Sequence, residues 1–108
     1  MHLDPVNLVA SPQLYFSNAA LIRACFAALA PHIRSCHAKD VTLRPQALVH
    51  LEEVRPGLGA LDYHMYLREL NMLDPDTPLM LEHLPSAEEY AAAAAYIRSV
   101  AQLEGISM

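Results

Sequence analysis

At 108 residues the chain is long enough for one domain with a hydrophobic core, and with 54% hydrophobic residues it is globular rather than disordered. A formal charge of -5, with seven Lys and Arg residues that form no cluster, argues against a nucleic-acid or anionic-membrane surface. No apolar run approaches the ~20 residues of a membrane span and no basic-then-apolar leader opens the sequence. Cys25 and Cys36, without a Cys-x-x-Cys pairing, read as the reduced thiols of a cytoplasmic protein.

In chain order, a first strand is expected to end near Asn7, after Leu3-Asp4-Pro5-Val6, and Ser11-Pro12 to open a connecting turn. Asn18 predicts a helix N-cap, followed by Leu21, Ile22, Cys25, Phe26 and Leu29 on one face. Pro31 stops that helix. A second strand is expected over 33–37. Beyond Asp40 the pattern is irregular, with a short helix expected over 45–53 and a turn-rich stretch, Arg55-Pro56-Gly57-Leu58-Gly59. Asp62 predicts the cap of another helix, with Tyr66, Leu67, Leu70 and Leu73 as its apolar stripe. Asp74-Pro75-Asp76-Thr77-Pro78 breaks it, and a third strand is expected over 79–84. Ser86-Ala87-Glu88-Glu89 is a capping box for an Ala-rich helix with Ala93, Tyr96, Ile97 and Val100 inward, closed by Gly105.

Strand-then-helix three times predicts an α/β fold of three parallel βα units in one domain, 1–108, joined by right-handed crossovers. Strand alternation then sorts the side chains. Met80 and Glu82 share one face and Leu79 and Leu81 the other. Ser35, His37 and Lys39 lie on one side with Cys36 opposite, and Asp4 sides with His2. Asp4, His37 and Glu82 thus stand at three successive strand ends as a carboxylate, an imidazole and a carboxylate, a donor set suited to a divalent cation. Asp-Pro also opens turns, and a core histidine can simply bond a backbone carbonyl. A carboxylate inside Leu-Met-Leu-Glu-His-Leu is harder to explain without a partner, because burying it alone is costly. His2, His32, His50, His64 and His83 read as surface or supporting groups.

His2-Leu3-Asp4-Pro5-Val6-Asn7, Cys36-His37-Ala38-Lys39-Asp40, Glu53-Val54-Arg55-Pro56-Gly57-Leu58-Gly59-Ala60-Leu61-Asp62-Tyr63 and Pro78-Leu79-Met80-Leu81-Glu82-His83-Leu84 together carry a resemblance. In these segments the chain resembles the carboxyl-terminal part of sugar (phosphate) isomerase/epimerase proteins with a xylose-isomerase-like TIM barrel. The resemblance implies the last three units of a (β/α)8 barrel, not closed in this chain, since a whole barrel takes about 250 residues. It implies that Asp4, His37 and Glu82 bind one divalent metal, Mn²⁺ or Mg²⁺ before Zn²⁺ or Co²⁺, with a fourth ligand lying outside the chain. Glu82 would also move the catalytic proton through an enediolate of a sugar or sugar phosphate, and Lys39, Arg55 and Asn7 would contact substrate. The isolated chain is then expected to be nearly inactive. Two other readings stand beside this one. The first is a non-catalytic metal- or sugar-binding remnant that needs homo-oligomerisation to cover its sheet. The second is a metal-dependent endonuclease on the same barrel, against which the acidic charge counts.

Overall fold

The computed structural model describes residues 2–9, 11–44, 50–81 and 84–107. Strand β1 (His2–Leu3) leads through a 3-10 turn (Pro5–Leu8) into helices α1 (Pro12–Phe16) and α2 (Asn18–Leu29). A second 3-10 turn (Ala30–His32) precedes β2 (Ser35–Ala38), and β3 (Asp40–Arg44) and β4 (His50–Val54) follow. Helix α3 (Tyr63–Leu70), β5 (Leu79–Leu81) and α4 (Ala87–Leu103) complete the chain.

Two separate sheets result. One is parallel, in the order β1-β2-β5, with Leu3 opposite Cys36, His37 opposite Met80 and Ala38 opposite Leu81. The other is a two-stranded antiparallel pairing of β3 with β4, running from Asp40 opposite Val54 to Arg44 opposite His50. This second sheet overturns the expectation of three parallel βα units taken from a TIM barrel. After Ala38 the chain does not enter a helix: it crosses Lys39 and turns into an antiparallel pair before α3 begins. The short helix expected over 45–53 is corrected as well. Its second half, from His50 onward, is β4, where Leu51 packs against the core; residues 45–49 fall outside the described residues. Pro45 suits a first helical turn and the Glu pair tolerates a helix, but the β-branched and leucine residues of Val41-Thr42-Leu43 offer a strand partner that a local helix cannot match.

The helices pack on one face of the parallel sheet. Leu3, Cys36 and Ala38 are buried beneath Ile22 and Phe26 of α2, Tyr63, Tyr66 and Leu67 of α3, and Ala93, Ile97, Val100 and Ala101 of α4. Strand alternation turns His2, Ser35, His37 and Met80 to the opposite face, where His2 and Met80 are exposed and Ser35 and His37 half-buried. Burial pushes the Cys36 thiol up to about 11, with a hydrogen bond to Tyr66 opposing the shift, so it packs as an inert apolar group. Neither cysteine is disulfide-bonded.

Helix starts follow local chemistry. The Asp62 side chain accepts the Met65 N–H, and the Ser86 hydroxyl accepts the Glu89 N–H, each tying up a donor that the first helical turn leaves unpaired. Asn18 behaves differently from the expected cap. It is the first residue of α2, and its amide reaches across the fold, donating to the Tyr15 and Ala60 carbonyls and accepting the Asp62 N–H at 2.6 Å. Ser11 caps α1, a helix that the sequence pattern did not reveal. No helix among the described residues is long and apolar enough to cross a membrane.

At the far end of the helical layer, His64 Nδ1 and both Nε and Nη2 of Arg68 meet the Glu104 carboxylate at 2.7–2.9 Å. Arg68 first, then His64, holds that carboxyl below its ordinary range. A depressed carboxylate stabilises the fold above its unfolded-state pKa and loses that contribution as pH falls through the lower folded value. Glu104→Gln is therefore expected to lower Tm near neutral pH and to match the parent only once the pH drops below the lowered folded value. A Tm gap that persisted in acid would show that Glu104 acts by packing rather than by charge.

Candidate functional site

The carboxyl edge of the parallel sheet gathers the polar groups. Register carries Asp4, the residue after Leu3, alongside His37, the residue after Cys36. His37 Nδ1 lies 3.3 Å from Asp4 Oδ2, a long contact in which the imidazole N–H donates to a carboxylate that can only accept. Lys39 Nζ is nearer, at 2.7 Å from the same Oδ2, and stands 3.7 Å from Glu53 Oε2 on β4. The Lys39 side chain is 4% exposed and that of Asp4 is 7%, whereas Glu53 is 38% exposed. A buried ammonium and a buried carboxylate in direct contact offset part of each other's desolvation.

Asp4 occupies the position before the 3-10 turn where an aspartate usually bonds the turn's N–H groups, yet its side chain makes no such bond. Its carboxylate is turned instead toward Lys39 and His37. Oδ1 is buried and has no hydrogen-bond partner among the described residues. An unsatisfied buried carboxylate oxygen is uncommon and points to a missing partner. Beside this pair, the His2 ring stands edge-on to His37 at 3.7 Å between centroids, and His2 Nδ1 pairs with the Ser35 hydroxyl.

Two tyrosines of α3 fix the edge from below. The Tyr63 hydroxyl donates to the Lys39 carbonyl at 2.5 Å and the Tyr66 hydroxyl to the His37 carbonyl at 2.7 Å. Burial pushes both phenols well above their ordinary range, so they remain donors at any working pH. Their spacing of three places both on the sheet-facing side of one short helix.

Asp40 anchors the adjoining loop. Its fully buried carboxylate accepts N–H bonds from Val41, Gly57, Gly59 and Leu61 at 2.8–3.1 Å. Burial raises its pKa and the four N–H donors oppose that shift.

The residues expected from the sequence divide accordingly. Asp4, His37 and Lys39 converge. Glu82, expected as third metal ligand and catalytic base, lies outside the described residues, as does His83. Asn7 is exposed on the 3-10 turn, where its backbone N–H donates to the Asp4 carbonyl at 3.2 Å. Arg55 is engaged elsewhere: Nη1 meets Glu89 Oε2 in the first turn of α4 at 2.7 Å. That ion pair ties the segment just after β4 to α4. Sequence reasoning missed Glu53, Tyr63 and Tyr66 as site-forming residues. The available signal was the pair of tyrosines at helical spacing just after the Asp62 cap.

Among the described residues no group of three or more His, Cys, Asp or Glu side chains is placed to hold a metal ion. The described donors are the Asp4 carboxylate, with its unsatisfied Oδ1, and the His37 imidazole. Hard oxygen and borderline nitrogen donors of that kind fit a divalent cation in chemistry, and the Lys39 charge on the same carboxylate opposes one. Comparison with family models, with curated proteins and with solved structures finds no match to this chain.

Proposed function

We propose that the carboxyl edge of the parallel sheet is the metal- and substrate-binding edge of a cytoplasmic sugar (phosphate) isomerase or epimerase. The observation that supports this reading best is the buried Asp4 carboxylate, which contacts His37 across 33 residues of chain and keeps Oδ1 without a partner among the described residues. Asp4 and His37 would hold the metal, with Glu82 as the third ligand. A bound divalent cation would supply Lewis-acid polarisation of a carbonyl and its neighbouring hydroxyl. Glu82 would carry the proton between adjacent carbons of an open-chain sugar, the task of a positioned carboxylate. Lys39, at the same edge, would meet developing negative charge on substrate oxygens. Tyr63 and Tyr66 hold the backbone at His37 and Lys39, which keeps these side chains in place for reaction.

One observation favours a second reading, a non-catalytic polar core. Lys39 already neutralises Asp4 at 2.7 Å. The two readings part on metal binding and proton exchange. With the purified chain and Mn²⁺, calorimetry is expected to show binding weaker than micromolar that Asp4→Asn removes. At stoichiometric protein, deuterium from solvent is expected to enter an open-chain ketose slowly, and Glu82→Gln to stop it, since the amide keeps the shape but cannot accept the proton. Mn²⁺ binding indifferent to Asp4→Asn, or exchange indifferent to Glu82→Gln, would overturn the proposal.

A further inference from the structure

We propose that Lys39 is the resident cation of this edge, holding the Asp4 carboxylate until a divalent ion displaces it toward Glu53. The inference rests on the reading of Asp4 and His37 as metal ligands and adds a competitor that sets their affinity.

Three observations carry it. Lys39 Nζ sits 2.7 Å from Asp4 Oδ2 and 3.7 Å from Glu53 Oε2, so one flexible side chain lies between carboxylates on two different elements. The Lys39 backbone is fixed by the Tyr63 hydroxyl on its carbonyl, so exchange between those carboxylates needs only rotation of the four-carbon stem. Asp4 Oδ1 is buried and has no hydrogen-bond partner among the described residues, which gives an incoming ion a first point of attachment while Lys39 still holds Oδ2.

Electrostatics then sets the order of events. An ammonium and a divalent cation on one carboxylate repel at close range in a medium far less screening than water. The ammonium cannot simply retreat into an apolar interior, because an unpaired buried charge is costly. Glu53, more exposed and on the facing hairpin strand, gives it a second anchor. Metal occupancy would thereby be coupled to the β3–β4 hairpin.

The test is calorimetric titration with Mn²⁺ alone on the parent chain, Lys39→Met, Glu53→Gln and the double variant, with Tm recorded for each. Lys39→Met is expected to bind Mn²⁺ at least about tenfold more tightly, because the competing charge is gone and Asp4 is left in need of a cation. Its Tm is expected to rise more on adding Mn²⁺ than the parent's does. Glu53→Gln is expected to weaken binding severalfold where Lys39 is present and to change nothing in the Lys39→Met background. A merely structural role for Glu53 would not show that dependence on Lys39.

Equal or weaker binding by folded Lys39→Met, with Asp4→Asn still abolishing it, would remove the competitor and leave the metal reading standing. Should Lys39→Met fail to fold, unchanged affinity in Glu53→Gln overturns the inference. Mn²⁺ bound by neither the parent nor Lys39→Met would instead remove the metal reading itself, and this inference with it.

Discussion

Asp40→Ala is expected to destabilise the protein by about 4 kcal/mol, which is most of the stability of a typical small domain. The Asp40 carboxylate is completely buried and receives four backbone N–H groups, from Val41, Gly57, Gly59 and Leu61. Alanine would leave all four donors without their acceptor in a place that water reaches poorly, at roughly 1–3 kcal/mol for each unsatisfied group before relaxation. Asparagine would do little better, because its NH₂ group would face N–H donors. The loop so held includes Asp62, the cap of α3, and leads to Tyr63, whose hydroxyl holds the Lys39 carbonyl. Loss of Asp40 is therefore expected to loosen the candidate site as well as the fold. Urea denaturation checks the first effect, and a cost under about 1 kcal/mol would show that the four bonds are not what holds the loop.

Gly59→Ala is the second large effect, expected near 3 kcal/mol, at the upper end of the usual cost of overpacking. A Cβ on Gly59 would lie 2.3 Å from the Val41 carbonyl oxygen and 2.5 Å from Asp40 Oδ1. Neither neighbour is the loose end of a flexible chain: one is backbone and the other a carboxylate held by four bonds. Gly105→Ala supplies the contrast. Nothing lies within 4 Å of its added Cβ, so its cost comes only from a backbone φ of +70°, about 1 kcal/mol. Thermal melts of both variants side by side test this ranking, and a Gly59→Ala protein no less stable than Gly105→Ala would contradict it.

Local signals in the sequence proved informative where the physics is local. The caps at Asp62 and Ser86 were legible because each needs only a side-chain acceptor three residues before a helical N–H. The approach of Asp4 to His37 was legible from strand alternation, since Asp4 directly follows β1, His37 lies within β2, and the two strands pair in parallel. The β3–β4 hairpin was not. Residues 41–44 and 50–54 carry weak alternation, and their pairing is a tertiary choice that overrides the second half of the helix expected over 45–53. The role of Asp40 was hidden for a related reason. A carboxylate that accepts loop N–H groups up to 21 residues away leaves no periodic trace, though an Asp after a buried strand followed by Gly-x-Gly is a hint worth keeping. The Arg55–Glu89 ion pair was not legible either, because its partners stand 34 residues apart with no periodic relation.

Pulsed electron paramagnetic resonance of Mn²⁺ added to chain carrying ¹⁵N-labelled histidine tests the metal-binding edge most directly, because a coordinated imidazole nitrogen couples to the metal's electron spin. The expected result is a single histidine nitrogen coupling that disappears in His37→Gln and, with the metal lost, in Asp4→Asn. A coupling that survives His37→Gln, or Mn²⁺ bound with no histidine nitrogen at all, would contradict the assignment of this edge as a metal-binding site.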